Sequence, residues 1–124
     1  RAAPVLGDGA RRGVGSAFGV VRDAGTYVLF TNAAGTAGLT TLTTYWACSP
    51  TGPWHGPAKG FAPPLPQGEV AAYNPQPHPE LSGGGRLVLS YDVNWLDAAP
   101  AAAQDRLNRN VSLYRPRFVS LRLR

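Results

Sequence analysis

GTYVLF, residues 25–30, and GRLVLS, residues 85–90, stand 60 positions apart, each behind a turn that contains glycine. Each couples a reversal, Asp23-Ala24-Gly25 in one case and Gly83-Gly84-Gly85 in the other, to a short apolar run. That is how a β-hairpin is written in sequence. At the same offset SAFGVV (16–21) falls on QPHPEL (76–81), so both occupy the place of a first strand. Each half then has a polar or glycine-rich connection and a third strand, LTTYWAC (42–48) in one and RFVSLRL (117–123) in the other. Two units of about 60 residues, each of three or four short antiparallel strands, read as two blades of a β-propeller. The division expected is a linker or loop over 1–12, one blade over 13–66 and another over 67–124. Two unrelated hairpins in a small β-sandwich are the alternative reading of the same spacing.

Composition agrees with an all-β chain. Gly 15 and Pro 12 together exceed a fifth of the 124 residues, which cuts the sequence into short extended pieces. AKGFAPPLP (58–66) is predicted as an irregular edge strand, because prolines cannot donate to a central ladder. The one stretch of helical composition, DAAPAAAQDRLNR (97–109), contains Pro100 and no regular apolar face, so at most one or two helical turns are expected. On the strand that opens at Arg86, Leu87, Leu89, Tyr91 and Val93 form an apolar face, and Val88, Ser90, Asp92 and Asn94 form the other.

The net charge of +5 raises nucleic acid as a partner, but the basic residues are dispersed, and Lys59 is the only lysine among the twelve. Neither nucleic acid nor membrane is expected: no run approaches the roughly 20 apolar residues of a membrane span. Cys48 is the only cysteine; it lacks the companions of a zinc site and is expected to be a small buried residue. No cofactor or metal is expected. Asp92-Val93-Asn94 with Asp97 lacks the glycine and glutamate of an EF-hand, and the triple glycine lacks the Lys-Ser/Thr of a phosphate loop. Ser16 and Ser90 have no histidine at motif spacing.

ACSPTGPW (47–54), YNPQPHPEL (73–81), LVLSYDVN (87–94) and YRPRFVSLRL (114–123) carry a more specific signal. In that order they resemble the last two blades of the five-bladed propeller glycoside hydrolases, above all a bacterial domain family that includes endo-D-arabinanases acting on mycobacterial-type arabinan. The resemblance implies a truncated propeller, since roughly four to eight blades are needed to close a ring. It makes 13–66 the penultimate blade and 67–124 the final one. It also implies a secreted or cell-surface hydrolase with a polysaccharide substrate, although RAAPVLGDGARR (1–12) has no signal-peptide character.

Within that frame Tyr73, Asn74, His78 and Glu80 lie on the innermost strand of the final blade, where ligands sit. His78 and Glu80 share one side, and Leu81 turns into the packing between blades. The expected substrate contacts are Tyr73, Asn74, His78, Asn94, Trp95 and Arg115. Glycoside hydrolysis uses two carboxyl groups, and Glu80 or Asp92 is the candidate to contribute one. The essential acids of such propellers come largely from earlier blades, so the catalytic set in this chain is expected to be incomplete. A non-catalytic carbohydrate-binding propeller would show the same aromatic, Asn and His groups.

Overall fold

The computed structural model describes residues 2–7, 14–15, 17–33, 40–68, 70–96 and 99–123. The sequence readings that fall on Asp8 to Arg12, Ser16 and Asp97 lie outside them. Among the described residues six strands form two three-stranded antiparallel sheets, each a simple meander. The first contains β1 (Phe18–Asp23), β2 (Thr26–Asn32) and β3 (Leu42–Ala47); the second contains β4 (Val70–Gly83), β5 (Arg86–Trp95) and β6 (Arg117–Leu121). The helix α1 (Pro100–Arg109) and a 3-10 turn (Val111–Tyr114) connect β5 to β6.

The two hairpins turn alike. Asp23 pairs with Thr26 around Ala24 and Gly25, and Gly83 pairs with Arg86 around Gly84 and Gly85. All four turn residues have positive φ, at 46°, 88°, 60° and 71° in chain order. Two left-handed residues in succession match the twist of the flanking strands, which is why short hairpins favour this turn. Only Ala24 adopts it against its side chain, at a cost of about 1 kcal/mol.

Alternation then decides what is buried. Leu87, Leu89, Tyr91 and Val93 are all 5% exposed or less, as the period-two reading of β5 predicts. With Val70, Ala72 and Leu113 they join Val21, Val28, Phe30 and Leu42 in a single core between the sheets. Burying a side chain such as Phe30 or Leu89 completely contributes roughly 1.5–3 kcal/mol. Tyr91 keeps its hydroxyl satisfied by donating to the Pro64 carbonyl at 2.6 Å. Burial raises its pKa from the ordinary 10.0, against the opposing pull of Arg117.

The sheets touch most closely at β1 and β4. A Cβ on Gly19 would stand 2.4 Å from Pro77 Cδ and 2.6 Å from the Pro75 carbonyl oxygen, so only glycine fits there without movement. Towards β3 and β6 the sheets part and leave a cleft of about 650 Å³. Residues 55–61 follow the outer side of β3 through bridges at Trp46–His55 and Leu42–Phe61. Ala58 N–H also donates to Thr44 O at 2.8 Å. The irregular edge strand predicted over 58–66 thus runs along β3 as far as Phe61, without becoming a regular strand.

Three expectations need correction. The segment around Pro100 is a ten-residue helix, because Pro100 occupies its first turn, where no N–H is required, and good helix formers follow. Cys48 is exposed, since Ala47 is the last paired residue of β3 and Cys48 already belongs to the following turn. Leu81 is 59% exposed and takes no part in packing between the sheets, because it falls where the β4–β5 register is interrupted.

Candidate functional site

Pro75, Pro77 and Pro79 recur at every second position of β4. A strand cannot lose that many donors from a central ladder, and among the described residues β4 is indeed an edge strand, paired only with β5. The prolines direct the rest. Pro75 is fully buried and Pro77 meets Gly19, so Gln76 and His78 present their side chains on the opposite, outward face. There β4 and β5 place Gln76 opposite Ser90 and His78 opposite Val88.

Two interruptions of register shape this face. Between Tyr73 and Gln76 the strand carries one residue more than its partner, a β-bulge in which Asn74 adopts a left-handed φ of 52°. Asparagine tolerates that region better than most residues. The bulge aims its carboxamide at β5, where Asn74 Nδ2 donates to Asp92 Oδ2 at 3.0 Å. Gln76 Nε2 in turn donates to Asn74 Oδ1 at 3.2 Å. The second interruption lies between His78 and Gly83, and Ser82 closes it. Its hydroxyl donates to the His78 carbonyl at 2.6 Å and accepts from Val88 N–H at 2.9 Å, taking a place in the ladder that a backbone group would otherwise fill.

His78 is held at both nitrogens, by Glu80 Oε1 on Nδ1 at 2.9 Å and by Ser90 Oγ on Nε2 at 2.7 Å. A hydrogen bond from the backbone, and then the His78 ring, hold the Glu80 carboxyl below the usual carboxylate range. Glu80 is therefore ionised and can only accept, so Nδ1 carries a proton. Nε2 accepts from the Ser90 hydroxyl when the ring is neutral and donates to it when the ring is charged. The order carboxylate, imidazole, hydroxyl is that of a nucleophile relay. However, Ser90 is 7% exposed in the central strand, and the ladder with β4 and β6 occupies the backbone around it. A hydroxyl enclosed in a paired central strand in this way orients His78. Phe118, 57% exposed on β6, lies beside the imidazole with ring centres 5.6 Å apart.

The residues singled out from sequence fall into two groups. Asn74, His78, Glu80 and Asp92 come together on this outward face, in two hydrogen-bonded clusters. Tyr73 is exposed and pairs with Asp92 in register, next to the first cluster. The others are engaged differently. Asn94 accepts from the Trp95 N–H at 2.8 Å. Trp95 packs against the core, lies beneath the Arg106 guanidinium at 4.7 Å and meets Gly68 on the way. Arg115 is exposed at the entry to β6 and forms no ion pair among the described residues. Sequence reasoning missed Ser90 as the partner of His78, and also Gln76, Ser82 and Phe118. The partnership crosses two strands, so no motif spacing records it; only the register of the hairpin does.

The outward face of this meander sheet thus carries fixed amides, an imidazole and carboxylates beside the exposed Tyr73 and Phe118 rings. The chain belongs to the family described as Domain of unknown function (DUF5005), whose model matches residues 6–122. No curated protein and no solved structure matches it.

Proposed function

We propose that this chain forms the last two blades of a five-bladed propeller glycoside hydrolase acting on a furanose polysaccharide such as arabinan, and that the outward face of its second sheet contacts the substrate along β4, the innermost strand, which borders the central channel. The observation that carries the reading is the pair of clusters Gln76–Asn74–Asp92 and Glu80–His78–Ser90. They offer fixed donors and acceptors beside the exposed Tyr73 and Phe118 rings, as sugar hydroxyls and sugar faces require. The blade reading is supported by the two sequential meanders, by their repeated turn and by the wedge they make, tight at Gly19 and open at the outer strands.

Glu80 serves as an ionised orienter of His78, because a proton donor to a glycosidic oxygen needs a raised pKa and that of Glu80 is lowered. Asp92, fixed by Asn74, is the carboxylate available to accept from a sugar hydroxyl. The proton donor belongs to other blades of a secreted or surface-attached enzyme. The test is hydrolysis of arabinan by the full-length protein and its His78→Ala and Asp92→Asn variants. The expected result is a loss of at least tenfold in kcat/KM in each; unchanged turnover and affinity in both would overturn the assignment of this face to substrate.

A further inference from the structure

We infer that the cleft between the two sheets is a second binding site, for a small flat aromatic molecule that carries an anionic group. It lies on the inner face of the second sheet, where Leu121 and Leu123 line it, whereas His78 and Asp92 occupy the outer face. The two sites are therefore separate. At about 650 Å³ the cleft has the size of a small-molecule pocket, for which roughly 300–1,000 Å³ is usual.

Trp46 supplies the platform. It stands in the middle of a β3 strand whose neighbours Tyr45 and Ala47 are buried, yet it is 46% exposed and lines the cleft. Its position is fixed, because Trp46 and His55 exchange backbone hydrogen bonds at 2.9 and 2.8 Å. The two rings stack with centres 4.4 Å apart and planes at 26°. A large aromatic held rigid in a concavity loses little freedom when a flat ring settles on it.

The rest of the lining sets the chemistry of the occupant. Phe61, Leu121 and Leu123, each partly exposed, make the lining apolar. A sugar placed there would leave hydroxyl groups without partners, at a cost that an aryl ring avoids. Lys59, on the segment that runs along β3, and Arg122, just past the end of β6, both line the cleft, and neither forms an ion pair among the described residues. Asp23 is the one carboxylate among the described lining residues, against the two cations Lys59 and Arg122. A carboxylate or sulfonate on the ring meets that charge while the ring lies on Trp46.

The probe is naphthoate, with its neutral isostere naphthalenemethanol, titrated calorimetrically into the full-length protein. Naphthoate is expected to bind at least tenfold more tightly than the alcohol at low salt. Trp46→Ala should weaken it at least tenfold. The double variant Lys59→Gln/Arg122→Gln, which changes only exposed side chains, should bring naphthoate down to the affinity of the alcohol. Arabino-oligosaccharides should not compete, and His78→Ala should leave naphthoate binding intact, so the outcome is independent of the sugar-binding reading. Equal affinity for acid and alcohol, unchanged binding by Trp46→Ala, or no binding up to the solubility limit because a peptide segment fills the cleft would each overturn the inference.

Discussion

The hairpins β1–β2 and β4–β5 turn on the same two-residue reversal, but among the described residues only the second carries clusters of polar side chains bonded to one another. The difference lies in their first strands. β1 pairs with β2 residue for residue from Phe18 to Asp23. β4 breaks register twice, at Asn74–Pro75 and between His78 and Gly83, and the polar side chains stand at or beside those breaks. A regular hairpin gives a surface that packs; an interrupted one re-aims side chains that alternation alone would have spent on packing or solvent. The three prolines make this affordable, since on an edge strand the donors they lack are not needed.

The comparison can be broken at several points. The largest effects should come from the shared core. Phe30→Ala in the regular hairpin and Leu89→Ala in the interrupted one should each cost about 3 kcal/mol. Because one core joins the sheets, either change should lower hydrogen-exchange protection in both hairpins. Loss confined to the altered hairpin would mean that the two sheets are independent units.

Gly19→Val tests the contact between the two first strands. A Cβ there meets Pro77 and the Pro75 backbone, so a loss of roughly 2 kcal/mol is expected in a denaturant titration. Gly83→Ala, at a position with open space around it, should change stability by less than about 0.5 kcal/mol.

Asn74 separates backbone from chemistry. Asn74→Ala forces alanine to φ 52° and removes the bond to Asp92, at a cost of about 1–2 kcal/mol. Asn74→Gly relieves the backbone but still removes the carboxamide. Its stability should stay closer to that of the parent, while polysaccharide affinity falls as far as in the alanine variant. Equal affinity in Asn74→Gly and the parent would reduce Asn74 to a turn residue.

Tyr91→Phe should cost about 1 kcal/mol, for the lost hydrogen bond to Pro64. It also carries a pH signature. The folded pKa of Tyr91 lies above its unfolded value, so its contribution is complete below pH 10.0 and is lost as pH rises from there through the folded pKa. The fall in stability above pH 10 should therefore be shallower in Tyr91→Phe, as read from thermal melts across the alkaline range.

How much of this is legible in the sequence follows from the same contrast. The turns at Ala24-Gly25 and Gly84-Gly85, the alternation of β5 and the six strands can all be read from local pattern, because turn chemistry and period-two burial are local facts. The bulge at Asn74 and the closure by Ser82 cannot, because they depend on how β4 is counted against β5. With the register goes the partner of His78: Ser90 is twelve residues away and looks unpaired until the hairpin is closed. His78 with Glu80 was accessible, being neighbours at period two. Helix α1 was underestimated because a proline inside a run reads as a break until its position in the first turn is known. Trp95 reads as an open platform beside Asn94, but Arg106, from a helix the sequence understated, covers it.

The central claim is that the interrupted hairpin, and not the regular one, meets the sugar. Amide and side-chain chemical shifts of the full-length protein, titrated with arabino-oligosaccharide, test it most directly. Shifts concentrated on residues 74–80 and on Ser90 and Asp92, with residues 18–32 unmoved, are the predicted result. Shifts centred on residues 18–32, or none on either hairpin at saturating oligosaccharide, would contradict it.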